Sequence, residues 1–136
     1  MPNFSVSRAS VGAAMTDHTL RLTLAADLPI QSFTWGTLQW LANAELLPGA
    51  AQTLGLCHLH PGQRNPLHYH PNCEEILHVQ QGHGKHLLDE RWVPVQPGTT
   101  VRIPAGMKHQ LVNEGMVTMI TVIAFSSGDR QTVFLD

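Results

Sequence analysis

Residues 62–82 read GQRNPLHYHPNCEEILHVQQG, a stretch that carries three side chains able to bind a metal. His68 and His70 are separated by one residue, so on an extended chain both imidazoles point to the same face. Glu75 follows at the start of a strand. A turn at Pro71-Asn72 lets the chain fold back, so that this carboxylate converges on the same point.

A third imidazole comes from residues 98–113, which read GTTVRIPAGMKHQLVN. His109 opens a strand there, after a turn at residues 104–106. Three imidazoles and one carboxylate predict a site for a single divalent metal. Imidazole suits Fe, Cu, Ni and Zn, while the carboxylate keeps Mn open, and affinity alone does not choose among these metals.

Length and composition limit the classes of protein to consider. The chain has 136 residues, the size of one domain, and its 43% hydrophobic and 13% charged residues exclude disorder. A net charge of −2, without runs of like charge, argues against nucleic acid and anionic membrane as partners. No apolar run approaches the ~20 residues of a membrane span, and residues 1–15 lack a signal-peptide pattern. We therefore expect a cytoplasmic protein.

Short alternating segments between Gly and Pro turns predict an all-β fold, because turn signals recur every ~8–12 residues in the second half. Residues 42–47 are compatible with a helical turn or with a continued strand. The predicted strands are Thr19–Leu24, Phe33–Leu41, Gln52–His60, Glu75–Gln80, Lys85–Leu88, Arg91–Val95, Thr99–Ile103, Met107–Val112, Val117–Phe125 and a short Thr132–Leu135.

The two segments resemble the two conserved motifs of the cupin superfamily, motif 1 at residues 62–82 and motif 2 at residues 98–113. Every fixed position matches, namely Gly62, His68, His70, Glu75 and Gly82 in the first motif and Gly98, Pro104, Gly106, His109 and Asn113 in the second. The resemblance implies a double-stranded β-helix, or jelly-roll barrel, with the metal inside it. It also implies that the four ligands are His68, His70, Glu75 and His109.

The domain boundaries and the oligomeric state follow from the same resemblance. We expect residues 1–28 to form an N-terminal arm and strand of the same fold, and residues 29–136 to form a single barrel domain. The strand at residues 117–125 is apolar on both faces and needs cover on both sides. Because related small cupins are commonly dimers, we expect a homodimer.

The resemblance implies three kinds of function. The first is a metal-dependent enzyme for a small organic substrate bound in the barrel, with an oxygenase favoured, as suits Fe(II). The second is an isomerase, lyase or cyclase, in which Mn, Ni or Zn acts as a Lewis acid. The third is a module that binds a small, sugar-like ligand without catalysis.

No catalytic base is identified in the sequence, but His58 and His60 are candidates. They form a second His-x-His pair on the strand that leads into motif 1, and one or both would line the pocket if they faced inward. The alternative is that they form a polar outer face, since no carboxylate or third histidine follows them at a suitable distance.

Strand parity sorts the remaining side chains. With Glu75 and His109 facing inward, Leu77, Val79 and Leu111 form apolar pocket walls. Outside the barrel we place Glu74, His78, His83 and His86. Cys57 and Cys73 are interpreted as small buried or half-buried thiols, and Asn113 is expected to bond backbone groups and close the turn that follows it.

Overall fold

A computed structural model describes residues 21–136, which form two antiparallel β-sheets and one short 3-10 helix, Ala25–Asp27. The strands are β1 Gln31–Phe33, β2 Gly36–Ala42, β3 Thr53–Leu59, β4 His68–Tyr69, β5 Glu75–Gln81, β6 Gly84–Leu88, β7 Arg91–Val95, β8 Thr100–Ile103, β9 His109–Asn113, β10 Met119–Phe125 and β11 Val133–Phe134. The predicted all-β jelly roll is confirmed. Within residues 21–136, no helix has the length and apolar character needed to cross a membrane.

Neighbouring strands in both sheets are mostly distant in sequence. One sheet has the order β1-β2-β3-β10-β5-β8, and the other has the order β11-β4-β9-β6-β7. The pairing of β4 with β9 places His68 directly opposite His109. This pairing brings the two sequence motifs together.

Alternating burial along the strands defines an inner and an outer face of each sheet. Every second residue is buried from Glu75 to Val79 in β5 and from Met119 to Phe125 in β10, as expected for strands with one face in the core. Leu77, Val79 and Leu111 are buried in one core shared by the two sheets. All three therefore face inward as predicted, but of the three only Leu77 lines the barrel cavity, so the predicted wall positions of Val79 and Leu111 are wrong.

The prediction of one continuous strand from Phe33 to Leu41 is wrong. The chain forms a hairpin there, in which β1 ends at Phe33 and β2 begins at Gly36. The turn at residues 34–35 contains neither glycine nor proline, so sequence signals missed it. Gly36 is required for packing, since a Cβ there would lie 1.8 Å from the backbone oxygen of His58.

The predicted strand Thr19–Leu24 is also wrong where it can be compared. Residues 19–20 lie outside the described residues, and residues 21–24 are not in a strand. The hydroxyl of Thr23 donates to the backbone oxygen of Leu41 at 2.7 Å. The chain then turns into the 3-10 helix instead of pairing along a sheet edge.

Asn113 closes the turn after β9, as predicted. Its side-chain NH₂ donates to the backbone oxygens of Leu59 at 3.0 Å and Val117 at 2.9 Å. Its side-chain oxygen accepts from the Gly115 N–H at 2.9 Å. The side chain is fully buried, so these bonds satisfy backbone groups that water cannot reach.

Candidate metal centre

The four predicted ligands meet at one end of the barrel interior. His68 lies on β4, Glu75 begins β5, His109 begins β9, and His70 immediately follows β4. Each offers one ligand atom, and these atoms all lie within 4.8 Å of one another. His70, Glu75 and His109 are buried, while His68 is half-buried.

Backbone carbonyls fix the orientation of all three imidazoles. The Nδ1–H groups donate to the oxygens of Pro66 (from His68, 2.6 Å), Gln131 (from His70, 2.8 Å) and Met107 (from His109, 2.9 Å). This arrangement sets the tautomer and leaves each Nε2 free to act as a ligand. Hydrogen bonds of this kind are the usual support of metal-binding histidines.

The carboxylate of Glu75 lies among these rings. Its Oε1 is 3.1 Å from His109 Nε2 and 3.2 Å from His70 Nε2. His70 Nε2 is nevertheless a buried atom without a hydrogen-bond partner in the described chain. Because a buried nitrogen without a partner is costly, and because the donor set is the one that divalent transition metals accept, these residues fit a metal ion.

The electrostatics favour the protonation states that a metal requires at Glu75 and His68, but not at His109. Burial opposes ionisation of Glu75, but the neighbouring imidazoles of His109 and His70 hold the pKa of this carboxyl below its ordinary value. Burial, together with the neighbouring charge of His109, lowers the pKa of His68 to about 4. Burial also acts against protonation of His109, but the bond to Glu75 raises the His109 pKa.

A cavity of about 280 Å³ opens beside the four side chains. Its size is at the small end of ligand pockets. Five aromatic side chains line it, and two of them, Phe33 and Trp35, are stacked at 4.8 Å between ring centroids. The other aromatic side chains that line it are Trp40, Phe125 and Phe134, and the polar ones outside the four ligands are Gln31, Asn65, His86, Arg130 and Thr132.

The predicted exposure of His86 is wrong. This side chain is 1% exposed, lines the cavity and lies against His109 with 5.8 Å between ring centroids. Burial lowers its pKa to about 4. His86 pairs with Leu111 on β9 and so shares the inner face, but sequence alone does not give the register of β6 against β9.

The hypothesis that His58 or His60 lines the pocket is also wrong. Neither contributes to the cavity wall, because the inward residues of β3 are Thr53, Gly55, Cys57 and Leu59. His58 is half-buried on the outer face, and His60 is exposed beyond the end of the strand. Both histidines therefore lie outside the cavity, as in the alternative, although Leu54 and Leu56 share the outer face of β3 with His58.

The other side chains assigned by parity are mostly where they were expected. Glu74 lies outside the barrel and pairs with Arg102 at 2.8 Å. His78 is outside too, and its Nδ1 lies 2.7 Å from the Thr100 hydroxyl. Both cysteines are buried free thiols, and Cys57 lines the cavity. Burial, with a smaller effect of the Glu75 charge, raises the pKa of Cys57 to about 12.

Comparison with known proteins identifies the class. Residues 55–123 match the family model described as Cupin domain. This match covers half of the chain, so the chain belongs to the cupin family.

Three of the proteins that this chain resembles share less than a third of its residues over the aligned segments. The chain is 28% identical over 103 residues to Protein SchB of Streptomyces halstedii, covering 76% of this chain and 75% of that protein. Among solved structures, the oxalate decarboxylase of Lactobacillus farciminis superposes with a TM-score of 0.76 at 24% identity over 81% of this chain and 34% of that one. An oxalate oxidase solved with glycolate gives a TM-score of 0.69 at 22% identity over 85% of this chain and 60% of that one. The chain thus spans only part of both oxalate enzymes, and they support the shared fold.

Proposed function

We propose that this protein is a metal-dependent enzyme that acts on a small organic substrate in the barrel cavity. His68, His70, Glu75 and His109 hold one divalent transition metal, and the favoured reaction is of the oxygenase type. One observation carries the proposal: three Nε2 atoms converge on one buried carboxylate at the end of a cavity large enough for a small molecule.

In this proposal the metal would bind the reacting oxygen atoms, and the protein would hold the ligands in place and exclude water. A metal that accepts five or six ligands, if held by these four side chains, would offer its remaining positions to a substrate oxygen, water or dioxygen. The backbone bonds to Nδ1 hold the three rings in place, so little reorganisation is needed during reaction. The aromatic walls exclude water, and His86 offers a hydrogen-bonding group beside the ligands.

At 22% and 24% identity, the oxalate oxidase and the oxalate decarboxylase show a shared fold. Their names are those of an oxidoreductase and a lyase, so this fold is compatible with both of the candidate reaction types. Fe, Mn, Ni, Cu and Zn all suit the donor set, so the metal must be measured.

The first experiment is metal analysis of the purified protein, with His70→Ala as the test variant and His58→Ala as its control. Both substitutions remove an imidazole, but only His70 belongs to the proposed site. We expect about one metal ion per chain in the wild type and in His58→Ala, and a strong loss in His70→Ala. Equal metal content in the two variants would refute the assigned site.

Reaction type is tested after anaerobic reconstitution with each metal. Oxygen uptake is followed with enols, β-diketones and catechols, and product formation is followed without oxygen in parallel. Turnover that consumes oxygen supports the oxygenase, whereas turnover without oxygen supports the isomerase or lyase. A metal-loaded protein that binds these compounds but converts none of them would favour a binding module.

We also propose that the protein is a homodimer. Leu54 and Ile76 are exposed apolar residues on the outer face of the six-stranded sheet, where half-buried Ala124 lies between them on β10. A second copy would cover this face. Light scattering after size-exclusion chromatography is expected to give twice the chain mass, and a monomer at all concentrations would contradict this.

A further inference from the structure

Arg130 places a positive charge in the cavity wall, outside both sequence motifs. It follows β10, and its guanidinium carbon lies 4.2 Å from the ring centroid of Trp40 and 5.3 Å from that of Phe125. Both rings also line the cavity. Stacking of this kind orients the planar guanidinium and holds it at the wall.

This charge has no carboxylate partner among residues 21–136. By contrast, Arg102 pairs with Glu74 at 2.8 Å and Lys85 pairs with Glu114 at 4.0 Å. Arg130 instead donates from Nη1 to the hydroxyl of Thr132 at 2.5 Å.

The same hydroxyl links Arg130 to the metal centre, because it lies 3.2 Å from Nδ1 of His70. The guanidinium is thus one side chain away from a proposed ligand. An arginine keeps its proton inside a protein, and the half-buried guanidinium of Arg130 can offer its other N–H groups to a ligand in place of water. Glu75 does not accept from them, since it lies within hydrogen-bond distance of His70 and His109 instead.

A carboxylate is the ligand group that fits such a guanidinium, because the two planar groups form paired hydrogen bonds. The stacked pair of Phe33 and Trp35, with Trp40 and Phe125, gives the cavity flat apolar surfaces. These surfaces suit a planar, unsaturated or aromatic body more than a flexible polar one. The net charge of the site also favours an anionic ligand. The single carboxylate of Glu75 offsets only half the charge of a divalent ion, so a site that holds such an ion stays positive.

We propose that Arg130 binds a carboxylate of the substrate, so that the cavity takes a small planar carboxylic acid whose hydroxyl or enol oxygen faces the metal. This inference rests on the proposed function, because it names the substrate class of the same site. It also assigns specificity to a residue that neither motif contains.

The test pairs two probes with two variants. Calorimetry measures the binding of 3-hydroxybenzoate and 3-hydroxybenzamide, which differ in the charge of one group and cannot chelate a metal through neighbouring oxygens. The proteins are Mn(II)-loaded wild type, Arg130→Gln and Arg102→Gln. Arg102 is the matched control, since it is an exposed arginine that does not line the cavity.

In the wild type and in Arg102→Gln we expect the acid to bind more tightly than the amide. In Arg130→Gln this preference should fall about 10- to 100-fold, the value of hydrogen bonds to a charged group. Metal content should not change. An unaltered preference in Arg130→Gln, or a wild type that binds neither probe, would overturn the inference.

Two further measurements separate this inference from the proposed function and from misfolding. The same titrations on metal-free protein test the role of Arg130 without the metal. If the protein binds no Mn(II) but still prefers the acid to the amide in an Arg130-dependent way, the proposed metal enzyme is refuted and the role of Arg130 stands. Phenylglyoxal modification of the unmutated protein needs no variant. We expect 3-hydroxybenzoate to slow modification of Arg130 and not of Arg102 in peptide mass spectra, and equal rates with and without the acid would contradict the proposal.

Discussion

Glu74 and Glu75 are neighbours in the chain but lie on opposite sides of the barrel wall. Glu74 faces outward and forms an ion pair with the exposed guanidinium of Arg102. Glu75 is 4% exposed and lies between His70 and His109. The two carboxylates differ only in strand parity, so the side of the sheet, and not the residue type, decides which one belongs to the candidate metal centre.

The same contrast separates the histidines and the residues around them. His86 lies on the inner face and lines the cavity, whereas His78 lies on the outer face and contacts the Thr100 hydroxyl. On β3, Cys57 lines the cavity, while His58 beside it does not. Polar side chains on the inner face form hydrogen bonds with protein groups in place of water. Those on the outer face can hydrogen-bond to water when a protein partner is lost. Substitutions on the two faces should therefore differ in size.

The largest difference is expected between Glu75→Gln and Glu74→Gln. The first replaces a charged ligand by a neutral amide among three imidazoles, and we expect it to weaken metal binding at least about 100-fold. Loss of a group that only hydrogen-bonds to a metal ligand already lowers metal affinity about 10- to 100-fold, and loss of the ligand itself should cost more. The second removes an exposed ion pair and should leave metal affinity unchanged, with stability reduced by less than about 1 kcal/mol. Titration of both variants with Mn(II), followed by electron paramagnetic resonance, measures the effect. Similar affinities would show that Glu75 is not a ligand.

Sequence predicted the inner face well wherever one strand could be followed from a known ligand. Leu77 and Val79 follow Glu75 at a spacing of two residues, so parity alone placed them. The two motifs also named all four side chains that the structure brings together. These inferences need only local geometry, because extended residues alternate whatever their partners are.

Sequence failed where position depends on pairing between distant strands. His86 faces inward because β6 is in register with β9, a fact that no local pattern encodes. Arg130 reaches the cavity because the chain after β10 returns across the barrel mouth, where β11 pairs with β4. Side chains that surround a ligand thus come from elements outside the motifs, and their placement requires the whole topology.

The next effect concerns two asparagines. Asn113→Ala leaves the backbone oxygens of Leu59 and Val117 and the N–H of Gly115 without their partner in a buried setting. We expect a loss of about 2 to 3 kcal/mol in the free energy of unfolding. Asn72 also bonds two backbone groups, but it is exposed, so Asn72→Ala should cost less than about 1 kcal/mol. Urea unfolding of both variants provides the comparison, and equal losses would show that burial does not set the cost.

The smallest effect is a pH dependence that originates at Cys57. Its pKa is raised from 9.0 to about 12, first by burial and then by the charge of Glu75. Below pH 9 the thiol is protonated in both the folded and the unfolded chain, so it does not affect stability there. As pH rises from 9 towards 12, the unfolded chain loses the proton first, and stability falls by about 1 kcal/mol at pH 10.

Cys57→Ala removes this contribution and leaves every other titratable side chain in place. Urea unfolding at pH 8 and pH 10 should therefore show a loss about 1 kcal/mol larger in the wild type than in Cys57→Ala. The same loss in both proteins would mean that water reaches the thiol in the folded state. In that case water would reach the cavity wall beside the proposed metal site. The difference in water access between inner and outer faces would then hold for Glu75 and Glu74 but not for the whole barrel interior.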